Sequence, residues 1–297
     1  MTDEIRGRVK FAAILLLLFV FLFQSGLILE GTRNALRLTA ATILPSLFPY
    51  LVLSGMLTAT AGGLPLPGGR LFSRLFRLPA GGLLALLLGS LCGFPVGVAV
   101  TAELARGGAV SREEAARLAA LSANTGPAFA VAAVGGAMFG DPAFGWWLYG
   151  VQIALSLVLG LIVARQYPVP VSLAPAPGGA ALPFTEILYR AALSMLRIVA
   201  AVVFFGSLAA LPGKLLPPAA AAAVTALLEV GNGTGLAATL PVAIGRPLAA
   251  FALSFSGISV LSQSAALLEP LGVEVRPLFV RKLLQGAGAA LLTAFFY

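Results

Sequence analysis

A chain of 297 residues with 59% hydrophobic side chains, 10% charged ones and a mean hydropathy of +1.00 has too few charges to cover a water-exposed surface, and reads as a polytopic membrane protein. Histidine is absent, Asp3 and Asp141 are the two aspartates and Cys92 is the single cysteine, which removes His-based catalysis and an internal disulfide and disfavours a two-carboxylate metal centre. The net charge of +8 fits the positive-inside bias of membrane loops rather than nucleic-acid binding, since no soluble stretch is long enough for a basic stripe; an enzyme, a metal and an organic cofactor are not expected.

The first segment, RGRVK followed by FAAILLLLFVFLF (11–23), resembles a signal peptide in its basic and apolar parts. No A-x-A pattern follows promptly and the apolar run continues through Leu29, so a retained first helix is predicted. Residues 38–62 are long enough to span, with Pro45 and Pro49 each removing a backbone donor and predicting a kink. Arg70, Arg74 and Arg77 then occupy a Gly/Pro loop without an acid, a cytoplasmic signal.

Residues 80–105 divide at CGFPVG into two arms of about 12 residues, each rising only about 18 Å against a hydrocarbon core of about 30 Å. A re-entrant hairpin and a single kinked spanning helix both fit. Arginines on both sides (Arg70 to Arg77 before, Arg106, Arg112 and Arg117 after) favour the hairpin, because the chain must return to the side it left. Ser111 and Glu114 form a capping-box pattern that opens the next helix.

That helix, 112–140, is interrupted at ANTGPAF (123–129) and ends at Asp141-Pro142 beside Phe144, Trp146 and Trp147. Residues 146–164 return, and a Pro/Ala/Gly stretch, 167–183, links two halves. In the second half a helix covers about 185–211. Two short apolar arms in 215–245 then flank a centre from Glu229 to Gly235. Residues 247–268 carry SFSGISVLSQS, and a basic loop with Arg276, Arg281 and Lys282 leads to a last helix, 283–297.

This path leaves Arg33, Arg37, Lys214 and Arg246 outside and the remaining basic residues inside, with hairpins entering from opposite faces. The fold class is therefore all-α: a polytopic membrane protein of two inverted repeats, each with a re-entrant helical hairpin and an unwound transmembrane helix. Its parts are N-terminal helices and a cytoplasmic loop (1–79), a first repeat (80–166), the linker (167–183) and a second repeat (184–297). A competing parallel similarity pairs Ser90 with Ser254, Gly93 with Gly257, Arg112 with Arg276 and Arg117 with Arg281.

Helix interruptions in lipid are costly unless the freed backbone faces a cavity, a helix or a ligand. Four of them predict a shared polar centre, with half-helix N-termini facing anions and C-termini facing cations. The candidate solute-binding residues are Gly93, Phe94 and Pro95; Ser122, Asn124 and Thr125; Asn232 and Thr234; and Ser256, Ser259 and Gln263, with Ser254 and Ser262 beside them. Glu229, costly in lipid if charged, is the candidate ion-coupling group for sodium or a proton. No basic side chain is expected in any break. A carboxylate neutralised by an arginine is the alternative for Glu229, and helix packing is the alternative for the serines.

GFPVG with ELARGGAVSREEAARLAALSANTGPAF, then LLE-x-GNGTG, then LSFSGISVLSQ, resembles the YlbJ-type sporulation integral membrane proteins of the nucleoside-recognition (Gate domain) superfamily, related to concentrative nucleoside transporters. The resemblance implies two hairpin tips, at Gly93-Phe94-Pro95 and from Glu229 to Gly235, and unwound helices at 122–127 and 254–263. It further implies a homo-oligomer, a place in a bacterial cytoplasmic or forespore membrane with the N-terminus cytoplasmic, and a secondary transporter of a small organic anion such as dipicolinic acid. Gly-Phe-Pro replaces the polar first-tip motif of the nucleoside transporters, which argues against base and ribose recognition. A nucleoside or nucleobase carrier and a non-transporting scaffold in spore assembly are the alternatives.

Overall fold

The computed structural model describes residues 3–61, 66–168 and 182–297, and among these every regular element is helical. The N-terminal part holds α1 (Asp3–Phe23), α2 (Ser25–Leu38) and α3 (Leu44–Ala61), followed by α4 (Gly69–Phe76). Next come α5 (Gly82–Cys92), α6 (Val96–Arg106), α7 (Arg112–Ser122), a π-helix over Ala128–Met138, and α8 (Pro142–Ala164). The second half holds α9 (Phe184–Ala209), the single turn α10 (Pro212–Leu215), α11 (Pro218–Leu228), α12 (Val230–Ala238), α13 (Val242–Phe255), α14 (Gly257–Leu268) and α15 (Arg276–Phe296). The Pro/Ala/Gly linker falls almost wholly on residues 169–181, outside the described residues.

Among the described residues, four helical stretches are long and apolar enough to cross a membrane: Pro142–Ala164, Phe184–Leu215, Val242–Leu271 and Arg276–Phe296. The bent pair Gly7–Phe23 and Ser25–Ala41 makes a fifth if counted as one span. The chain is thus an integral membrane protein. Val242–Leu271 is the central stretch, with 72% of its apolar window buried against 28% for Pro142–Ala164. A helix that is apolar and buried all round faces protein, whereas the exposed Leu and Phe side chains of α1 suit lipid.

The N-terminal helices differ from expectation. The first helix does not run on to Leu29: the chain bends by 91° at Gln24, and α2 continues through a π-helical stretch, Thr39–Ile43, into α3. That stretch precedes Pro45, and its wider π turn accommodates the donor lost at Pro45 without ending the helix, while Pro49 lies inside α3. Close packing holds α2 in place, since a Cβ on Gly31 would lie 2.9 Å from the Gly206 carbonyl of α9.

The expected basic loop at Arg276, Arg281 and Lys282 is also corrected. Pro277 sits in the first turn of α15, where its missing N–H costs nothing, so Lys282 lies well inside a helix.

Arginines gather at one end of the molecule. Buried Arg117 donates to the carbonyls of Phe76 (2.8 Å) and Arg77 (2.9 Å) and lies 3.8 Å over the Tyr167 ring; Arg281 donates to the Arg117 carbonyl at 3.2 Å. The Ser111 capping box is formed, Ser111 Oγ accepting from Glu114 N–H and the Glu114 carboxylate from Ser111 N–H. At the opposite end Arg246 pairs with Asp141 at 2.8 Å and lies over the rings of Phe144 and Tyr297. Asp141 also caps α8, accepting from Phe144 N–H at 3.0 Å.

Candidate functional site

All four predicted interruptions are present, and they meet in pairs. Between α5 and α6 the chain turns at Gly93, whose φ of +84° suits glycine. The two helices pack back on one another: a Cβ on Gly97 would lie 2.8 Å from Gly89 Cα, and one on Gly89 would lie 2.0 Å from the Ser122 carbonyl oxygen. Two glycines thus make a slot for the last carbonyl of α7. A Cβ on Gly93 would reach Gly126 N at 2.6 Å, so the first tip lies on the first unwound segment. Phe94 is half-buried and Pro95 buried.

The unwound segment, 123–127, has its freed backbone groups satisfied by protein. Asn124 Nδ2 and Ser156 Oγ both donate to the Leu121 carbonyl, at 2.9 and 2.8 Å. Gln152, fully buried on α8, pairs with Thr125 twice, its Oε1 accepting from the N–H at 3.1 Å and its Nε2 donating to the carbonyl at 2.7 Å. Lys282 Nζ, fully buried, donates to the Ala123 carbonyl at 2.8 Å and to Gln285 Oε1 at 2.9 Å. Gln285 Nε2 donates to Asn124 Oδ1 (3.3 Å) and to the Gln152 carbonyl (2.7 Å). A basic side chain therefore does sit in a break, contrary to expectation. Ser122 Oγ lies 3.4 Å from Thr101 Oγ1.

The second tip is narrower than predicted. Glu229 is the one extended residue between α11 and α12 (φ −149°, ψ 126°), and 230–235 is helical. Its carboxylate accepts from the N–H groups of Gly231 (2.8 Å) and Asn232 (2.7 Å), so it caps α12. Glu229 is 8% exposed, and no arginine or lysine among the described residues pairs with it. Asn232 is exposed, and Thr234 Oγ1 donates to its own helix, to the Val230 and Gly231 carbonyls. Asn232 and Thr234 thus belong to the first turns of α12, not to an open tip.

The second break lies at Ser256 and Gly257, both left-handed (φ +75° and +77°). A Cβ on Gly257 would lie 3.2 Å from Glu229 N and Cα, so this break lies on the second tip as the first break lies on the first. Buried Ser259 and Gln263 share one face of α14, with Gln263 Nε2 3.4 Å from Ser259 Oγ; Ser262 Oγ donates to the Ser259 carbonyl. The two breaks are joined by Thr125 Oγ1, which donates to the Leu253 carbonyl at 3.0 Å. Ser254 Oγ and Thr225 Oγ1, beside this second pair, are buried without a hydrogen-bond partner among the described residues.

Sequence reasoning missed Gln152, Ser156, Lys282 and Gln285. The available signal was a polar pair at helical spacing within an apolar span, Gln152 with Ser156 and Lys282 with Gln285. Gln152→Leu is expected to strand both backbone groups of Thr125 in the interior. The cost should be about 2–4 kcal/mol, read as a melting temperature in detergent lowered by about 5–10 °C. An unshifted transition would mean the segment finds other partners.

No family model matches this chain, and no solved structure matches it. The sporulation integral membrane protein YlbJ of Bacillus subtilis (strain 168) is 26% identical over 312 aligned positions, which cover 88% of this chain and 75% of that protein. Helical throughout its described residues, with four to five candidate spans and this similarity along most of its length, the chain is a homologue of the sporulation integral membrane protein YlbJ.

Proposed function

We propose that this chain is a secondary transporter of a small organic anion, with dipicolinate the first solute to test, in a bacterial cytoplasmic or forespore membrane. The observation that carries the proposal is the pairwise meeting of the four interruptions: Gly93 on Gly126, Glu229 on Gly257, and Thr125 on the Leu253 carbonyl. Unwound backbone is retained in lipid where it lines a binding place, and transporters build such places at the meeting of two halves.

Element order supports an inverted-repeat reading. A pair of short helices, an interrupted helix and a long span follow one another as α5 to α8, and again as α11 to α15. Gly82 packs on Phe72 and Leu118, and Glu103 pairs with Arg190 at the start of α9, which brings the outer ends of the first pair to the Arg117 end. The end of α12 lies under Gly245, whose Cβ would meet the Ala237 carbonyl at 2.3 Å, on the Arg246 side. On this reading both pairs are re-entrant hairpins from opposite faces, and the arginine-rich Arg117 end is cytoplasmic.

An anionic solute fits the second pair. Glu229 already fills the N-terminus of α12, whereas α14 opens at Ser256 without a side-chain cap, beside the unpartnered hydroxyl of Ser254. A solute carboxylate would be held there by free N–H groups and the helix dipole. Glu229 would be the coupling group.

The test is uptake into proteoliposomes of labelled dipicolinate and labelled uridine, with and without proton and sodium gradients. Gradient-driven accumulation of dipicolinate that excess uridine does not reduce is expected. Accumulation of uridine instead would establish the nucleoside alternative, and uptake of neither would overturn the proposal.

A further inference from the structure

Lys282 is fully buried in the membrane domain, and no acidic side chain among the described residues pairs with it. Glu113 and Glu114 lie in the first turn of α7, about 13 Å along that helix from Ala123, and Asp141 is held by Arg246 at the far end. The neighbouring guanidinium of Arg281 turns away to the Arg117 carbonyl. What surrounds the ammonium is oxygen: the Ala123 carbonyl just past the last residue of α7, and Gln285 Oε1, itself oriented by bonds from Gln285 Nε2 to Asn124 and Gln152. Carbonyl and amide oxygens at the C-terminal end of a half-helix are the ligands that transporters offer to a coupling cation. An anchor for an anion would instead turn its N–H groups toward free space.

We propose that the Lys282 ammonium is a resident cation of the first interruption, reaching from α15 into the place among these oxygens that a sodium ion would otherwise take, so that this half of the molecule needs no bound sodium. The proposal rests on reading residues 123–127 as part of a transport site. Its test measures stability rather than uptake, so the two can fail separately. A charge that arrives with the chain is never released, which leaves Glu229 on the opposite pair as the group able to exchange an ion.

The full-length protein is purified in detergent and melted in choline chloride, sodium chloride and propylammonium chloride. The wild type is expected to melt at one temperature in all three, within about 1 °C. Lys282→Ala is expected to melt about 5–10 °C lower in choline and to recover at least half of that loss, saturably, with propylammonium or sodium. Lys282→Met, which fills the same space without a charge, is expected to lose as much and recover none. If Lys282→Ala does not fold, Lys282→Arg is expected to stay within about 3 °C of wild type, with no response to sodium. Saturable stabilisation of the wild type by sodium, a Lys282→Met protein as stable as wild type, a Lys282→Ala protein deaf to every cation, or a Lys282→Arg protein as damaged as Lys282→Met would each overturn the proposal. A stable Lys282→Met protein that no longer takes up dipicolinate would assign Lys282 to the solute instead.

Discussion

Glu229→Gln is expected to leave the protein folded and to abolish gradient-driven accumulation of dipicolinate. A glutamine keeps one side-chain oxygen for the N–H of Gly231 or Asn232, so much of the α12 cap survives; the other bond is lost at a cost of about 1 kcal/mol. What is lost entirely is the ability to carry a proton or neutralise a cation at a residue that is 8% exposed, in a setting where an unpaired carboxylate is expensive. Glu229→Ala separates the two roles. It removes both capping bonds as well, and should lower stability by about 1–2 kcal/mol while also abolishing accumulation. Size-exclusion profile and melting temperature check the fold, and uptake under imposed proton and sodium gradients checks the coupling. A Glu229→Gln protein that accumulates solute at the wild-type rate, with the same pH and sodium dependence, would reduce Glu229 to a helix cap.

Gly233→Ala and Gly235→Ala are expected to differ sharply although the two glycines share one short motif and one helix. A Cβ on Gly233 would lie 2.3 Å from Ala226 Cα and 2.8 Å from Ala226 N, both backbone atoms of the facing helix, which can yield only if α11 and α12 separate. The expected cost is about 3 kcal/mol or more, read as a melting temperature lowered by about 6–12 °C or as loss of folded protein. A Cβ on Gly235 would meet nothing within 4 Å, so Gly235→Ala should be neutral or stabilising by up to about 1 kcal/mol through helix propensity. Equal effects at the two positions would mean that α11 and α12 do not pack back to back. Gly89 and Gly97 are the corresponding close approaches of α5 and α6 and should behave like Gly233.

The positions of three of the four breaks were legible because glycine and proline punctuate apolar runs, at Gly93 and Pro95, at Gly126 and Pro127, and at Gly257; the fourth was marked by the acid Glu229 within an apolar run. Their extent was harder to read. GNGTG looks like an open tip, yet in a membrane glycine is also the residue that lets two helices touch, and Gly233 serves that second purpose inside α12. Arg281 and Lys282 looked like one basic loop, yet they sit side by side on a helix, so their side chains diverge by about 100°. One turns to the arginine-rich end and the other into the interior.

Composition alone made the chain a helical membrane protein, and Gly/Pro spacing placed three of its four interruptions, since lipid demands internal backbone pairing, which proline denies and glycine weakens locally. Tertiary structure alone decided who satisfies the freed backbone. Gln152 reaches Thr125 across 27 positions within the first half, whereas Lys282 and Gln285 reach Ala123 and Asn124 from 159 and 161 positions away, through contacts that exist only after the two halves have come together.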